Sequence, residues 1–408
     1  MLHCRFCQSN LTETFADLGM SPLSNSYLTQ PQLQAMERFY PLHAYVCSSC
    51  FLVQLTEFET PERIFSDYAY FSSYSDSWLK HCENYAAAMV ARLKLGSASR
   101  VIEIASNDGY LLQYFKQSGV PVLGIEPAAN VAKVAIDNGI PTAIAFFGEK
   151  KGLELRTTRQ SADLLVANNV LAHVPDINDF VEGFRHALKP TGCVTVEFPH
   201  LLQLVRHNQF DTIYHEHFSY LSLNFVSKLF ASHGLRVFDV DELTTHGGSL
   251  RVYGCHVADV EKRASGAVAA LLERERGEGL LDLQGYRRFA DQVVQTKCAV
   301  LEFFVNAKRA GKRVAGYGAP AKGNTLLNYC GIGPAFLEFT VDRSPHKQGL
   351  YLPGTHIPIR PVDAISKEKP DYLFILPWNL REEIVEQMAE IRNWGGKFVV
   401  PIPAVEIF

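Results

Sequence analysis

The stretch VIEIASNDGYLLQYFKQSGVPVLGIE, Val101–Glu126, constrains this chain more than any other. It opens on a short apolar run (Val101, Ile102, Ile104) and enters the small polar loop Ala105-Ser106-Asn107-Asp108-Gly109. Apolar residues at helical spacing follow (Tyr110, Leu111, Leu112, Tyr114, Phe115), and a second apolar run, Val120–Ile125, ends on Glu126. Strand, tight loop, helix and strand in this order predict a right-handed βαβ unit of the mononucleotide-binding type. Glu126 lies 17 residues beyond Gly109, near the place where such units set an acid on ribose hydroxyls. The loop holds Gly109 and no second glycine, so it lacks the G-x-G-x-x-G cradle of a dinucleotide pyrophosphate. An acid inside the first strand, Glu103, and a short polar turn suit the adenosine and amino-acid ends of S-adenosylmethionine. The alternative is an ordinary α/β strand–loop–helix with no cofactor.

The alternation continues downstream. A helix over Ala128–Asn138, a short strand near Ala143–Phe147 and the apolar run Ala162–Val170 are expected, then a helix over Ile177–Leu188. A turn at Pro190-Thr191-Gly192 and a strand over Cys193–Phe198 follow. This rhythm predicts an α/β fold with a mostly parallel, doubly wound sheet. In such sheets ligands lie beyond the carboxyl ends of the strands. Ser106, Asn107, Glu126, Asn169, His173 and Pro199 all fall at expected strand ends, and that convergence says more than any one of them. From about Ala290 a long helix to Lys312 leads into a second α/β pattern, beginning Val314-Ala-Gly-Tyr-Gly-Ala-Pro-Ala-Lys-Gly-Asn-Thr325. Here Gly316, Gly318, Lys322 and Asn324 are candidates to face a diphosphate.

Ahead of the central unit, the first 65 or so residues are irregular and turn-rich, without the periodicity to build a core alone. They carry Cys4-Arg-Phe-Cys7 and Cys47-Ser-Ser-Cys50, two C-x-x-C knuckles 39 residues apart. Four thiolates so spaced fit a tetrahedral structural zinc site, which leaves no coordination position for a substrate. A single knuckle would also fit redox chemistry, but a redox pair has no need of the second. Between the knuckles and the central unit, Tyr68–Ser75 is dense in aromatic hydroxyls. It reads either as packing between domains or as a lid in which Tyr70 and its neighbours reach a polar ligand.

Bulk properties exclude rather than select. The 408 residues are long enough for two or three domains, and the net charge is −4, so nothing calls for a nucleic-acid or anionic-membrane partner. With no leader pattern in MLHCRFCQSN and no 18-residue apolar run, a cytoplasmic protein is the expectation; a monomer is expected as well.

Titratable groups concentrate in Phe210-Asp-Thr-Ile-Tyr-His-Glu-His-Phe-Ser-Tyr220. The spacing is H-E-H and not the H-E-x-x-H of a helical zinc hydrolase; on an extended segment His215 and His217 would share a face. The segment reads as a hydrogen-bonded polar corner or as a proton-transfer site. Histidine, with an ordinary pKa near 6.5, suits a general base at neutral pH, and Tyr214 and Glu216 would orient it or stabilise an oxyanion. His246-Gly247-Gly248 is either a tight turn before a strand or a place of close backbone approach to sugar hydroxyls.

Taken in order, these pieces resemble the deoxysugar C-methyltransferases that act on nucleotide-linked 4-ketosugars. The resemblance runs through the knuckles, the P-L-S-N loop (Pro22–Asn25), the N-D-G loop, the H-V-P strand end, F-D-x-I-Y-x-E-H-F, H-G-G and G-Y-G-A-x-A-K. It ends with Asp342-x-Ser-Pro-x-Lys347-Gln, Pro353-Gly-x-His356-Ile-Pro and Pro377-Trp-Asn379. It implies an N-terminal zinc-binding domain (1–67), a central class I, Rossmann-like S-adenosylmethionine domain (68–289) and a C-terminal pseudo-Rossmann domain (290–408) that holds a nucleotide-sugar substrate. It implies His217 as base beside Tyr214 and Glu216, with Tyr68 and His173 as further active-site positions. Glu103, Ala105, Ser106, Asn107, Gly109, Glu126 and Asn169 would line the cofactor. Tyr70, His246, Gly247, Gly248, Tyr317, Lys322, Asn324, Asp342, Lys347, His356 and Asn379 would line the substrate. Two departures stand out: His215 occupies a position where some members carry Asp, and Ala105-Ser106 replaces a Gly-Cys pair. The competing readings are an O- or N-methyltransferase, an RNA-modifying methyltransferase (disfavoured by the absence of a basic face) and an inactive sugar-nucleotide-binding protein.

Overall fold

The computed structural model describes residues 2–60, 73 and 76–408; Tyr68 and Tyr70 lie outside them. Seventeen described strands form three sheets. β1 (Glu13–Ser21), β2 (Tyr40–Val46) and β3 (Val53–Leu55) pair antiparallel near the N-terminus. The central sheet takes β4 (Val101–Ile104), β5 (Val122–Glu126), β6 (Thr142–Ile144), β7 (Ala162–Asn168) and β8 (Leu188–Pro199). β9 (Ser219–Tyr220) leaves the central region and pairs with β3, closing the N-terminal sheet with residues some 160 positions downstream. β10 (Leu235–Leu243) and β11 (Ser249–His256) then complete the central sheet in the order β10-β11-β8-β7-β4-β5-β6, with β11 antiparallel to both its neighbours. Counted along the sheet's own strands this is 3-2-1-4-5-7-6, the class I methyltransferase arrangement.

The winding follows from the helix patterns. The helix Asp76–Leu93 buries Cys82, Tyr85, Ala86 and Met89, an i, i+3, i+4, i+7 stripe, on one face of the sheet against Val101, Phe115 and Leu164. On the other face Ile177–Ala187 buries Ile177, Phe180, Val181 and Phe184 at the same spacing. Its start is fixed by Asp176, whose carboxylate accepts from the Asp179 amide at 3.0 Å. With helices on both faces, β4 and β7 are apolar along nearly their whole length.

The C-terminal sheet takes β12 (Val314–Tyr317), β13 (Thr340–Val341), β14 (Ile359–Arg360), β15 (Tyr372–Ile375), β16 (Lys397–Val400) and β17 (Glu406–Ile407) in the order β14-β13-β12-β15-β16-β17. Its first five strands are parallel and β17 is antiparallel. This is the 3-2-1-4-5-6 Rossmann order.

Several expectations shift. The Pro190-Thr-Gly192 turn lies within one long strand, β8. The N-terminal segment is a bulged sheet rather than irregular chain, with register breaks between Thr14 and Ala16 and between Asp17 and Met20. The boundary placed at 289/290 falls inside a single helix, Leu283–Arg309. That helix packs on both neighbours: Phe289 stacks on Phe15 of β1 at 4.6 Å, and Phe303 and Phe304 lie against Phe374 of β15. Each such buried ring contributes about 1.5–3 kcal/mol, so the N-terminal and C-terminal sheets share one core.

A candidate active site where the three sheets meet

The loop after β4 is held in an uncommon backbone shape. Ala105 (φ 54°), Asn107 (φ 48°) and Gly109 (φ 81°) are all left-handed, a region that admits glycine and asparagine far more readily than alanine. Ala105→Gly should therefore raise stability by about 0.5–1 kcal/mol, strain relief of about 1–2 kcal/mol exceeding the entropy cost of glycine; a lower urea midpoint for the variant would contradict this. Glu126 at the end of β5 closes the loop, its two carboxylate oxygens accepting from the Asn107 and Ala128 amides, both at 2.9 Å. Burial nevertheless raises its pKa, against the pull of those two amides. Glu103 is buried within β4, and burial lifts it well above the carboxylate range. Ser106 Oγ and Asn169 Oδ1 are buried with no hydrogen-bond partner among the described residues. Asn169, also left-handed (φ 55°), follows β7, which neighbours β4. Unsatisfied buried polar atoms are costly, and here they cluster at the carboxyl ends of adjacent strands, where a polar ligand would satisfy them.

A second set of groups lies on the segment before β9. His217 does not share a face with His215, because the segment is a turn closed by the His217 amide on the Tyr214 carbonyl at 2.9 Å. His215 points to the N-terminal sheet, its Nε2 3.2 Å from the Pro41 carbonyl and its ring edge-on to Tyr40. His217 points to His173, their ring centroids 4.7 Å apart. Each of these two imidazoles meets a backbone carbonyl through Nδ1, Thr212 for His217 (2.9 Å) and Glu216 for His173 (2.7 Å). A carbonyl only accepts, so Nδ1 carries the proton in both rings and Nε2 keeps its lone pair. Nε2 of His217 accepts from the Tyr214 hydroxyl at 2.8 Å. Burial, then the neighbouring His173, holds His217 well below the ordinary histidine value, and burial lowers His173 to about 4. His217 is thus neutral at pH 7 with its basic nitrogen defined.

The Glu216 side chain does not reach His217. Its carboxylate, 6% exposed, accepts from Asn25 Nδ2 through both oxygens, at 2.8 and 2.9 Å. The one signal of Asn25 in the sequence is its place in the P-L-S-N loop.

The C-terminal sheet faces this segment with its strand ends. Thr325 donates to the Ile213 carbonyl at 3.0 Å, and Trp378, just after β15, donates to Asp211 at 2.8 Å. Trp378 also lies so close to Gly247 that a Cβ there would stand 2.8 Å from the indole. Lys322 sits 4.3 Å over the same indole and donates to Asn379 at 2.7 Å. His246, left-handed (φ 56°), is edge-on to Trp78 at 5.6 Å, and Gly248 follows it ahead of β11. Other candidates are engaged within the protein. Asn324 donates to the Ser24 carbonyl at 2.6 Å, and Lys347 to the Ala319 carbonyl at 2.9 Å. Asp342 accepts from the Ala319 and Ser344 amides, both at 2.8 Å, which shapes the glycine turn. His356 pairs with Glu37 at 2.9 Å. Tyr317 is turned into the core on the opposite face, its hydroxyl on Gln387.

Cys4, Cys7, Cys47 and Cys50 place their sulfurs within 4.8 Å of one another. The Cys4–Cys50 and Cys7–Cys47 separations, 3.6 and 3.5 Å, are far from a disulfide and close to the ~3.8 Å edge of a tetrahedron with zinc–sulfur bonds of about 2.3 Å. Gln54 of β3 donates to Cys4 Sγ at 3.2 Å and accepts from the Arg5 amide at 2.9 Å, the kind of outer contact that fixes a ligand set.

Comparison with known proteins finds relatives for all three regions of the chain. Family models fit residues 4–65 (zinc binding domain), 78–240 (methyltransferase domain) and 244–403 (C-methyltransferase C-terminal domain). The C-methyltransferase NovU of Streptomyces niveus is 38% identical over 98% of this chain and 95% of its own. A ubiquinone biosynthesis O-methyltransferase of Rhodopseudomonas palustris is 28% identical over 24% of this chain and 38% of its own. Among solved structures, the PH0226 protein of Pyrococcus horikoshii OT3 matches with a TM-score of 0.37 at 14% identity, covering 49% of this chain and 99% of that one. The domain models and the strand end of unsatisfied polar atoms fit S-adenosylmethionine, and the four-sulfur cluster fits zinc. With a relative of this identity along its whole length, the chain belongs to the S-adenosylmethionine-dependent C-methyltransferases that carry an N-terminal zinc-binding domain.

Proposed function

We propose that the chain methylates a carbon α to the ketone of a nucleotide-linked 4-keto-deoxysugar. The observation that carries this reading is His217: a half-buried imidazole, neutral, with Nε2 as its basic nitrogen and a phenol already hydrogen-bonded there. Carbon is not a nucleophile until a proton beside a carbonyl is removed, and that step needs such a base. S-adenosylmethionine, when bound, supplies the electrophilic methyl group. As His217 Nε2 takes the α-proton it ceases to accept from Tyr214, whose hydroxyl is then released to donate to the developing enolate oxygen. His173, with Nε2 as acceptor, faces the same space. Glu126, Ser106 and Asn169 would hold the cofactor's polar ends, and Lys322, Asn379 and the His246-Gly247-Gly248 turn would face the nucleotide-sugar. Division of labour would follow the regions 1–67, 68–289 and 290–408, with the helix Leu283–Arg309 spanning the last boundary, in a cytoplasmic monomer. No described helix is long and apolar enough to cross a membrane.

Mass spectrometry of products from a panel of nucleotide 4-ketosugars incubated with cofactor tests the substrate class; no methylated product from any of them would refute it. For the cofactor end, Glu126→Ala should weaken S-adenosylhomocysteine about 10- to 100-fold in calorimetry, the loss of hydrogen bonds to a buried carboxylate. Unchanged affinity would remove Glu126 from that site.

A further inference from the structure

We propose that Asn25, a residue of the zinc-bearing N-terminal region, is a positioning residue for the methyl transfer: its side-chain amide fixes the Glu216 carboxylate in the cleft beside the catalytic turn. The inference rests on the function proposed above.

Glu216 is nearly sealed from solvent, and the Asn25 amide, at 2.8 and 2.9 Å, is the donor its two oxygens share. A carboxylate only accepts, so Nδ2 and not Oδ1 must face it. Asn25 itself stays exposed, on the open side of the pair. Its loop is tied to the C-terminal domain on both sides. Asn324, 1% exposed, donates to the Ser24 carbonyl, and the Tyr27 hydroxyl donates to the Ala319 carbonyl at 2.5 Å. Leu28 exchanges backbone hydrogen bonds with Tyr351, and Pro22 lies where a Cβ on Gly354 would meet it at 2.9 Å. β3 of the same region pairs with β9, immediately after His217 and Phe218. The N-terminal region therefore grips the chain on either side of His217, through Asn25 at Glu216 and through β3 at Ser219. A zinc module that served stability alone would need no amide contact to a buried carboxylate across 191 residues of sequence.

Among the described residues, few groups face Glu216. Tyr27 stands on the same loop, His173 meets its backbone carbonyl, and His215 and His217 flank it in sequence. Burial raises the Glu216 pKa, and the Asn25 amide opposes that rise. Without Asn25, the carboxylate keeps its burial and loses the donor that favours its charge.

The test uses the zinc-loaded full chain with Asn25→Ala, Asn25→Asp, Glu216→Gln and the double variant Asn25→Ala/Glu216→Gln. Asn25→Ala should lower kcat about 10- to 100-fold, with zinc content and S-adenosylhomocysteine affinity unchanged. It should also shift the acid limb due to Glu216 toward higher pH. Asn25→Asp, which sets a like charge on the carboxylate, should be more impaired. Glu216→Gln should lack that limb and lose little more when Asn25→Ala is added. Full loss again in the double variant, or wild-type kcat and limb in Asn25→Ala, overturns the proposal, as does a fully active Glu216→Gln. Carbon NMR of glutamate-labelled protein, with Glu216→Gln as the assignment control, follows the carboxyl without turnover. An upward midpoint in Asn25→Ala supports the contact even if no ketosugar is methylated, which would defeat the proposed substrate instead; an unmoved midpoint overturns it.

Discussion

Replacing His217 with asparagine should reduce turnover by about 10²–10⁴-fold, the usual contribution of a positioned general base. Cofactor and substrate binding should survive, because asparagine preserves a donor and an acceptor near the same place. The assignment rests on competition among neighbours. Glu216 directs its carboxylate to Asn25 and away from His217. Tyr214, near 10 in water, is a better donor to an enolate oxygen than a base at neutral pH. His173 has the same tautomer as His217, and the Tyr214 phenol is bonded to Nε2 of His217. The most direct reading of the base is exchange of the α-hydrogen in deuterium oxide, which His217→Asn should slow by a similar factor. Exchange at the wild-type rate in this variant, but abolished in His173→Asn, would move the base to His173. The pH dependence has a definite sign. Because the His217 pKa is lowered, its neutral form persists as pH falls past 6.5, and loss of exchange through this group should occur well below the ordinary histidine value. An acid limb above pH 6.5 that vanishes in His217→Asn would contradict the burial effect.

Loss of zinc should have the largest effect on stability. Structural zinc contributes about 10–16 kcal/mol in small zinc peptides, as much as the ~5–15 kcal/mol by which whole domains are stable. Here the loss would spread. Cys4, Cys47 and Cys50 are packed in the same apolar cluster as Phe225 and Leu229 beside the central sheet, and β3 carries the edge on which β9 pairs. Cys4→Ser/Cys47→Ser should therefore lose zinc by elemental analysis, unfold at residues 2–55 by hydrogen exchange and loosen the turn around His217. Retained zinc, or a variant as stable as wild type, would contradict the tetrahedral site.

The elements most legible in the sequence are those whose structure is local. Val101–Glu126 fixes its own strand, loop and helix, and the two knuckles specify their metal by spacing alone. The site was legible where a short segment carries its own chemistry, as at Tyr214 and His217. What escaped depends on distant residues. β1–β3 look irregular because bulges break their alternation and their fourth partner comes from β9. His215 and His217 would share a face only on an extended segment, and a turn set by the Tyr214 carbonyl parts them. The helix Leu283–Arg309 hides a domain boundary because one continuous apolar stripe serves the single core that the N-terminal and C-terminal sheets share. Asn25 and Trp378 reach the candidate site through contacts spanning 191 and 167 residues of sequence, and no local pattern announces such pairs.

The central claim, methyl transfer to a carbon made nucleophilic by His217, is tested most directly by the position of the transferred methyl. Product formed from a nucleotide 4-ketosugar and cofactor labelled with carbon-13 in its methyl group should show one-bond carbon–carbon coupling when the sugar is also labelled, placing the methyl on the carbon beside the ketone. A labelled methyl bound to oxygen or nitrogen, with no carbon–carbon coupling, would contradict it.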